Sequence, residues 1–197
     1  MNTGLPEDLA FRADAVAIGA SAGGIDALFT LFAGLPAAMR ASIVTVLHLP
    51  ENHESRLVQV FAHRLQVPVE EARPHAPVAA GTIYFAPPGY HLLVEADRTF
   101  SLSCDPPVLF SRPSIDVMME SCAEVYRERL LGIVLTGANE DGARGLARIA
   151  ALGGLTAVQD PAEAAHVAMP QAAIRAADPD YVLTLAGLGR LLQTVAS

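Results

Sequence analysis

Short apolar runs alternate with stretches of helical periodicity along almost the whole chain. Four runs are rich in β-branched or small apolar residues: Ala15–Ala20, Ser42–Leu47, residues 130–136 and Leu155–Gln159. Between the first two, Ile25, Leu28 and Phe32 recur at helical spacing. Continuous apolar strands separated by helices are typical of a parallel sheet that is covered on both faces. The sequence therefore predicts a doubly wound α/β fold with a mostly parallel sheet flanked by helices.

The remaining patterns predict further elements and a single domain. Helical patterns cover residues 54–65, 114–127, 141–152 and 171–176 and resume at Leu188, and strands are expected at residues 81–85 and 181–183. Residues 91–94 and 99–102 predict an antiparallel hairpin inserted into this Rossmann-like architecture. Because no boundary has a linker composition, residues 13–197 are predicted to form one domain after an N-terminal tail of residues 1–12.

The composition favours a compact protein of the cytoplasm. Hydrophobic residues make up 52% of the 197 residues and charged residues 17%, a balance that supports a large buried core. The net charge of −8 argues against a general affinity for nucleic acid. No apolar stretch is long enough to span a bilayer, and the first residues lack the layout of a secretory signal. We therefore expect a cytoplasmic protein that binds no nucleic acid and does not insert into membranes.

Ser21 is the first candidate for a catalytic residue. It lies in Gly19-Ala20-Ser21-Ala22-Gly23, where the first predicted strand gives way to a helix. A serine on a sharp strand-to-helix turn exposes its hydroxyl, and nearby backbone amides can stabilise a developing oxyanion. The glycines allow the turn and the close approach of a substrate. The alternative is that Ser21 belongs to a tight turn or caps the helix.

His48 and Asp141 follow other predicted strands and are expected at the same edge of the sheet. Ligands of open parallel sheets bind beyond the carboxyl ends of the strands, near a topological switch point. His48 ends the second strand, and Asp141 follows the strand of residues 130–136. A serine, a histidine and an acid meeting there can supply a nucleophile, a general base and the group that orients the base.

Each candidate also has a simpler interpretation. His48 could be bonded to backbone at a strand end, Asp141 could stabilise a helix N-terminus, and His53 is a second candidate base. A dinucleotide-binding turn is disfavoured because Ser21 occupies the middle glycine position and the second strand ends in His48 rather than an acid. The histidines have no metal-ligand partners at short spacing, so no metal and no cofactor is expected.

Five motifs, taken in chain order, carry a resemblance to a known family. They are residues 18–24 (IGASAGG), 46–48 (VLH), 112–117 (RPSIDV), 135–142 (LTGANEDG), and 159–161 (QDP) with 169–170 (MP). Together they resemble the catalytic domain of the chemotaxis protein-glutamate methylesterases, the CheB family. The resemblance extends from about residue 13 to residue 175.

The resemblance implies a fold, an activity and a set of site residues. The fold is a doubly wound α/β domain, and the catalytic serine, histidine and aspartate fall on Ser21, His48 and Asp141. The implied substrate is a methyl-esterified glutamate on the cytoplasmic helices of a methyl-accepting chemoreceptor, and some members also deamidate glutamine. Backbone amides of Ala22 and Gly23 are the expected oxyanion donors.

Arg112 is expected either to meet the acidic receptor helix or to pair with a carboxylate of its own chain.

Departures from the family pattern bear on substrate fit and regulation. Ala22 stands where many members have threonine, and Ala138-Asn139 replaces Met-Gly.

Only about a dozen residues precede the first strand, too few for the N-terminal receiver domain typical of the family. A separate receiver or methyltransferase protein is therefore an expected partner. The alternative function is a catalytically weak or inactive signalling scaffold of the same fold.

Overall fold

The computed structural model describes residues 11–48 and 56–196. Strands and helices alternate through these residues, as the sequence predicts. In chain order they are β1 (Ala15–Ala20), α1 (Gly24–Phe32), β2 (Ser42–Leu47), α2 (Leu57–Ala62), β3 (Val69–Glu71), β4 (Ile83–Phe85), β5 (His91–Val94), β6 (Phe100–Ser103), α3 (Ile115–Tyr126), β7 (Leu130–Val134), α4 (Ala143–Ala151), β8 (Leu155–Gln159), α5 (Ala168–Ala177), β9 (Tyr181–Leu183) and α6 (Leu185–Val195).

A parallel sheet organises the molecule. Its strand order is β3-β4-β2-β1-β7-β8-β9, and every neighbouring pair runs parallel. After β1 the chain first adds strands on one side of it, beginning with β2, and later adds strands on the other side, beginning with β7. The topological switch point therefore lies at the end of β1. Gly19 pairs with Val46 on one side and Val134 on the other, which brings the carboxyl ends of these three strands to one edge. The predicted doubly wound fold is confirmed.

The predicted hairpin forms a small sheet of its own. Strands β5 and β6 pair antiparallel and are not hydrogen-bonded into the large sheet. The Ser121 hydroxyl on α3 accepts a hydrogen bond from the Val94 amide at 3.1 Å, which attaches the hairpin to that helix. Strand β3 was not predicted, because three residues are too few to show a period of two.

The two faces of the sheet bury separate hydrophobic clusters. Val16 and Ile18 of β1 face a cluster formed with α1, α2 and α6, whereas Ala15 and Ala17 face one formed with α3, α4, α5 and the hairpin. Burial on both faces explains why β1 is apolar at consecutive positions. None of the helices in the described part of the chain combines the length and apolar character needed to cross a bilayer.

Helix α3 approaches the end of β1 unusually closely, and Gly19 permits that approach. A Cβ atom added at Gly19 would lie 2.2 Å from the Ile115 Cγ2 atom. A side chain there would push the first residue of α3 away from the sheet. The missing side chain therefore sets the start of α3 directly against the carboxyl edge of the sheet.

Candidate active site

Ser21 lies directly beyond the carboxyl end of β1. Its backbone amide donates to the Thr136 carbonyl oxygen at 3.0 Å, and its own carbonyl accepts from the Gly24 amide at 2.8 Å. These bonds fix the turn that leads into α1. The side chain is half-buried and forms no hydrogen bond to any described residue. The turn therefore leaves the Ser21 hydroxyl unengaged, as the strand-to-helix motif predicts.

Gly23 is required by the backbone of this turn. Its φ is 79°, in the left-handed region that favours glycine, and an added Cβ would lie 2.8 Å from the Ala165 Cβ. The Thr136 hydroxyl secures the same turn by donating to the Ala22 carbonyl at 2.9 Å, and it accepts from the His166 amide at 2.8 Å. Thr136, which follows β7, thus holds the turn in place and connects it to the loop at His166.

His48 and Asp141 are brought together, although they are far apart in the chain. The His48 Nε2 atom lies 2.9 Å from the Asp141 Oδ2 atom. The His48 amide also donates to the Ala20 carbonyl at 3.0 Å, which holds the residue beside the end of β1. Asp141 is fully buried, so this contact lies away from solvent.

The start of α3 holds the Asp141 carboxylate. It accepts hydrogen bonds from the Ser114 hydroxyl at 2.9 Å and from the backbone amides of Ile115 and Asp116 at 2.7 and 2.9 Å. Burial alone would raise the pKa of Asp141, but the hydrogen bonds from His48 and from these amides outweigh it, and the pKa lies below its ordinary value. The positive end of the helix dipole favours the same charge. Asp141 is therefore ionised and held in a fixed orientation.

The contact with an ionised carboxylate determines the tautomer of His48. A carboxylate can only accept, so Nε2 carries the hydrogen and Nδ1 carries the lone pair. The Ser111 hydroxyl lies 3.4 Å from Nδ1, a long hydrogen bond. Ser111 was missed in the sequence, since a loop residue without periodic context gives no signal.

Ser21 and His48 line one cavity of about 310 Å³, together with Leu47 and the first residues of α1. No hydrogen bond joins the two side chains in the described structure, in which Nδ1 faces Ser111 instead. A reaction that uses both groups would therefore need Nδ1 to exchange Ser111 for Ser21.

Two amides just before α1 are unpaired. Within the described residues the amides of Ala22 and Gly23 donate to no acceptor, and Gly23, the N-cap residue, lines the cavity. The helix has no side-chain cap at its N-terminus. Free amides at the positive end of a helix dipole are suited to an oxygen anion.

The Arg112 side chain binds backbone carbonyl oxygens, which were not predicted from the sequence. Its Nη1 atom donates to the carbonyl oxygens of Cys104 and Asp105 at 3.0 and 3.1 Å, rather than to a carboxylate. Its Nε atom is buried without a hydrogen-bond partner in the described structure. Arg112 therefore braces the loop that carries Ser111, and a contact with a receptor helix stays a prediction.

Two further residues support the site and were not assigned from the sequence. Ser114 precedes α3 and Asp116 lies in its first turn, a pattern that is typical of a helix N-terminus. The Asp116 carboxylate accepts the amides of Gly142 and Gly145 at the start of α4, at 2.9 and 2.7 Å. Burial, together with the nearby charge of Asp141, raises the pKa of Asp116.

The second candidate base from the sequence, His53, lies outside the described residues. Over residues 11–48 and 56–196, no group of three His, Cys, Asp or Glu side chains is arranged to hold a metal ion.

Comparison with known proteins identifies the family. The family model described as CheB methylesterase matches residues 16–192. The chain belongs to the CheB methylesterase family. The resemblance inferred from the five sequence motifs is therefore confirmed, and with it the prediction of a methylesterase-type hydrolase.

Individual relatives agree with this membership. A putative protein-glutamate methylesterase/protein-glutamine glutaminase of Leptospira interrogans is 44% identical over 178 residues, which are 90% of this chain and 92% of that protein. A protein-glutamate methylesterase/protein-glutamine glutaminase of Symbiobacterium thermophilum is 39% identical over 81% of this chain and only 44% of its own length. The chain thus spans nearly all of the first relative and less than half of the second.

A solved CheB structure has the same fold. The crystal structure of the Thermotoga maritima CheB methylesterase catalytic domain superposes with a TM-score of 0.88 at 28% identity, covering 92% of this chain and 98% of that one. The agreement extends over the described sheet and its helices, and it confirms the fold class on independent grounds.

Proposed function

We propose that this CheB-family chain hydrolyses glutamate methyl esters on the cytoplasmic helices of a methyl-accepting chemoreceptor, and deamidates glutamines there, through Ser21, His48 and Asp141. The observation that carries the proposal is the 2.9 Å contact between His48 and an ionised, buried Asp141, with His48 and Ser21 lining the same cavity. The names of the relatives support the substrate class. A receptor of this kind presents its methylated helices to the cytoplasm, so the enzyme acts there.

The reaction begins with proton transfer to His48. The Nδ1 lone pair takes the hydroxyl proton as the Ser21 oxygen attacks the ester carbonyl carbon. The imidazolium returns that proton to the departing methoxide, which leaves as methanol, and an acyl-enzyme remains. Water then attacks the acyl carbon, with Nδ1 again accepting the proton, and releases glutamate and free Ser21. With glutamine as substrate the first leaving group is ammonia.

Asp141 and the α1 turn stabilise the charges that form. The Asp141 carboxylate offsets the positive charge on His48 and fixes its tautomer. The unpaired amides of Ala22 and Gly23 stabilise the oxyanion, and removing one such donor typically costs roughly 10²–10³ in turnover.

Ser111 is a rival nucleophile, because its hydroxyl is the one that contacts Nδ1. Two observations favour Ser21. The free amides of the α1 turn adjoin Ser21, whereas the neighbour of Ser111 in sequence, Arg112, binds carbonyl oxygens of its own loop. Ser21 also has no partner to give up before it attacks.

The deciding experiment combines methanol release with covalent labelling. The native protein should release methanol from methylated receptor fragments, and Ser21→Ala should remove nearly all of that activity. A serine-directed fluorophosphonate should modify Ser21, as located by mass spectrometry. Ser101→Ala on the β5–β6 hairpin is the matched control and should keep full activity.

Each failure of this experiment has a distinct meaning. Methanol release that survives Ser21→Ala would reject Ser21 as the nucleophile, and label on Ser111 would transfer the role to that residue. A native protein that releases no methanol from several receptors would favour the signalling scaffold.

A further inference from the structure

Four arginines converge on a cavity at the edge of the sheet opposite the candidate active site. The cavity has a volume of about 440 Å³, and its charged lining consists of Arg12, Asp14, Arg40, Arg98 and Arg129. Asp14 directly precedes β1 and Arg129 directly precedes β7, so the cavity lies at the amino ends of the strands. Since β1 has six residues, the cavity lies about 20 Å from Ser21.

The positive charge of this cavity exceeds what the described residues neutralise. Asp14 pairs with Arg129 at 2.8 Å and with Arg98 at 3.6 Å, and among the described residues it is the only acid that lines the cavity. Arg12 donates to the Thr194 carbonyl at 2.7 Å and pairs with no carboxylate of the described residues. The Arg40 guanidinium has no partner among the residues that the structure describes.

This concentration of charge is notable in an acidic chain. The protein has 13 arginines and no lysine against 21 aspartates and glutamates, yet four arginines share one cavity with a single acid of the described residues. Like charges at short range repel each other, and a bound anion removes that cost.

Two of the arginines are also held in place. The Arg98 guanidinium lies 5.1 Å from the centre of the Tyr126 ring, in a cation–π contact, while Asp14 fixes Arg129. Their side chains are still 55% and 50% exposed, so both keep N–H groups available to a ligand.

We propose that this cavity binds a small phosphorylated molecule with a diphosphate or similar multivalent anionic group. Guanidinium groups match phosphate oxygens with paired hydrogen bonds, and arginine suits such recognition better than lysine. Several guanidiniums around one cavity fit a multivalent anion. The volume exceeds that of inorganic diphosphate, which leaves room for an attached organic group. The cavity is open to solvent on one side, so a small molecule can enter it.

The test is titration calorimetry with inorganic pyrophosphate at low ionic strength. The native protein should bind it, and Arg40→Gln should weaken the affinity by about tenfold or more, as expected for a charged hydrogen bond. Arg73→Gln is the matched control, because Arg73 is exposed, lies after β3 near the other edge of the sheet, and has no side-chain partner in the described structure. Its affinity for pyrophosphate should equal that of the native protein.

A second variant should raise the affinity for pyrophosphate instead of lowering it. Asp14→Asn removes the competing carboxylate, so it should tighten pyrophosphate binding, an effect that general destabilisation would not produce. Thermal unfolding without ligand verifies that each variant is folded. Ser21→Ala should bind pyrophosphate like the native protein, which keeps this proposal separate from the catalytic one.

Three outcomes would overturn the proposal. They are no binding of pyrophosphate by the native protein, an equal loss in Arg40→Gln and Arg73→Gln, and tighter binding of citrate than of pyrophosphate. The last result would assign the cavity to carboxylates instead of phosphates.

Discussion

Asp141 binds the N-terminus of the helix that contains Asp116, and Asp116 binds the N-terminus of the helix that follows Asp141. The Asp141 carboxylate accepts amides at the start of α3, where Asp116 lies, and the Asp116 carboxylate accepts the amides of Gly142 and Gly145 at the start of α4. The two helices are thus locked together at the point that presents Asp141 to His48. Asp116 is therefore a positioning residue that acts through Asp141.

Two substitutions of Asp116 should separate the loss of its hydrogen-bonding oxygen from the loss of its charge. Both amides bind its Oδ1 atom, so Asp116→Asn retains an oxygen for them, whereas Asp116→Ala removes it. We expect Asp116→Ala to lower kcat by roughly 10²-fold with little change in KM, because a displaced orienting group costs about that much. Asp116→Asn should lose much less. Steady-state kinetics measure both, and equal losses in the two variants would contradict the positioning role.

Asp141→Asn should lower turnover by about 10⁴, by analogy with the serine hydrolase triad. Both carboxylate oxygens accept from donors in the native protein, so the NH2 of asparagine would face one of those donors and disturb the hold on the imidazole. The neutral amide also stabilises the imidazolium less than a carboxylate does. Methanol release measures the loss. Asp178→Asn, at an exposed position after α5, is the control and should behave like the native protein. A loss of only a few-fold would make Asp141 a structural residue.

The same carboxylate should make stability depend on pH. Burial raises the pKa of Asp141, but its hydrogen bonds outweigh that and leave the pKa depressed in the folded protein. Such a group contributes fully above its unfolded pKa of about 3.9, and the contribution is lost as the pH falls through the folded pKa. The stability advantage of the native protein over Asp141→Asn should therefore shrink as the pH falls below about 5. Urea unfolding between about pH 5 and about pH 3 tests the sign, and a difference that grows over that range would refute it.

Ser111→Ala should free Nδ1 for Ser21. The hydroxyl of Ser111 competes for the same lone pair through a long bond of 3.4 Å. We expect fluorophosphonate to label Ser21 faster, by up to about tenfold, the value of one neutral hydrogen bond. Labelling kinetics measure this rate, with Ser101→Ala again as the reference. A loss as severe as that of Ser21→Ala would show that Ser111 takes part in the reaction.

Gly19→Ala should destabilise the fold through a single contact. The new methyl group would meet the Ile115 side chain at 2.2 Å, and such overpacking costs about 1–3 kcal/mol. Ile115→Ala removes the clashing atoms, so the double variant should be more stable than the sum of the two single effects predicts. Urea unfolding of the four proteins in this cycle gives the coupling energy. Additive effects would mean that the clash is relieved elsewhere.

The sequence predicted the convergence of His48 and Asp141 because strand ends are local features. Apolar runs define the ends of β1, β2 and β7, and parallel pairing brings those ends to one edge. The bounds of β1 and β2 match the predicted ones residue for residue. The predicted helix of residues 54–65 is observed only as Leu57–Ala62, with its first positions outside the described residues.

Contacts made by loops could not be predicted in this way. Ser111 reaches His48 from a segment without periodicity, and Arg112 binds carbonyl oxygens that any residue type could offer. The amides that hold Asp141 also depend on a long-range contact. The start of α3 lies against β1 through packing between the distant residues Gly19 and Ile115.

The engagement of Nε2 by Asp141 reverses the usual orientation of a catalytic imidazole. In the chymotrypsin arrangement the aspartate holds Nδ1 and Nε2 accepts the proton, whereas here Asp141 holds Nε2 and Nδ1 faces the Ser111 hydroxyl. In the proposed mechanism Nδ1 is thus the nucleophilic nitrogen, and we expect an alkylating inhibitor that enters the cavity to modify Nδ1. Compounds shaped to deliver their reactive carbon to Nε2 of conventional serine hydrolases are then expected to react poorly with this protein.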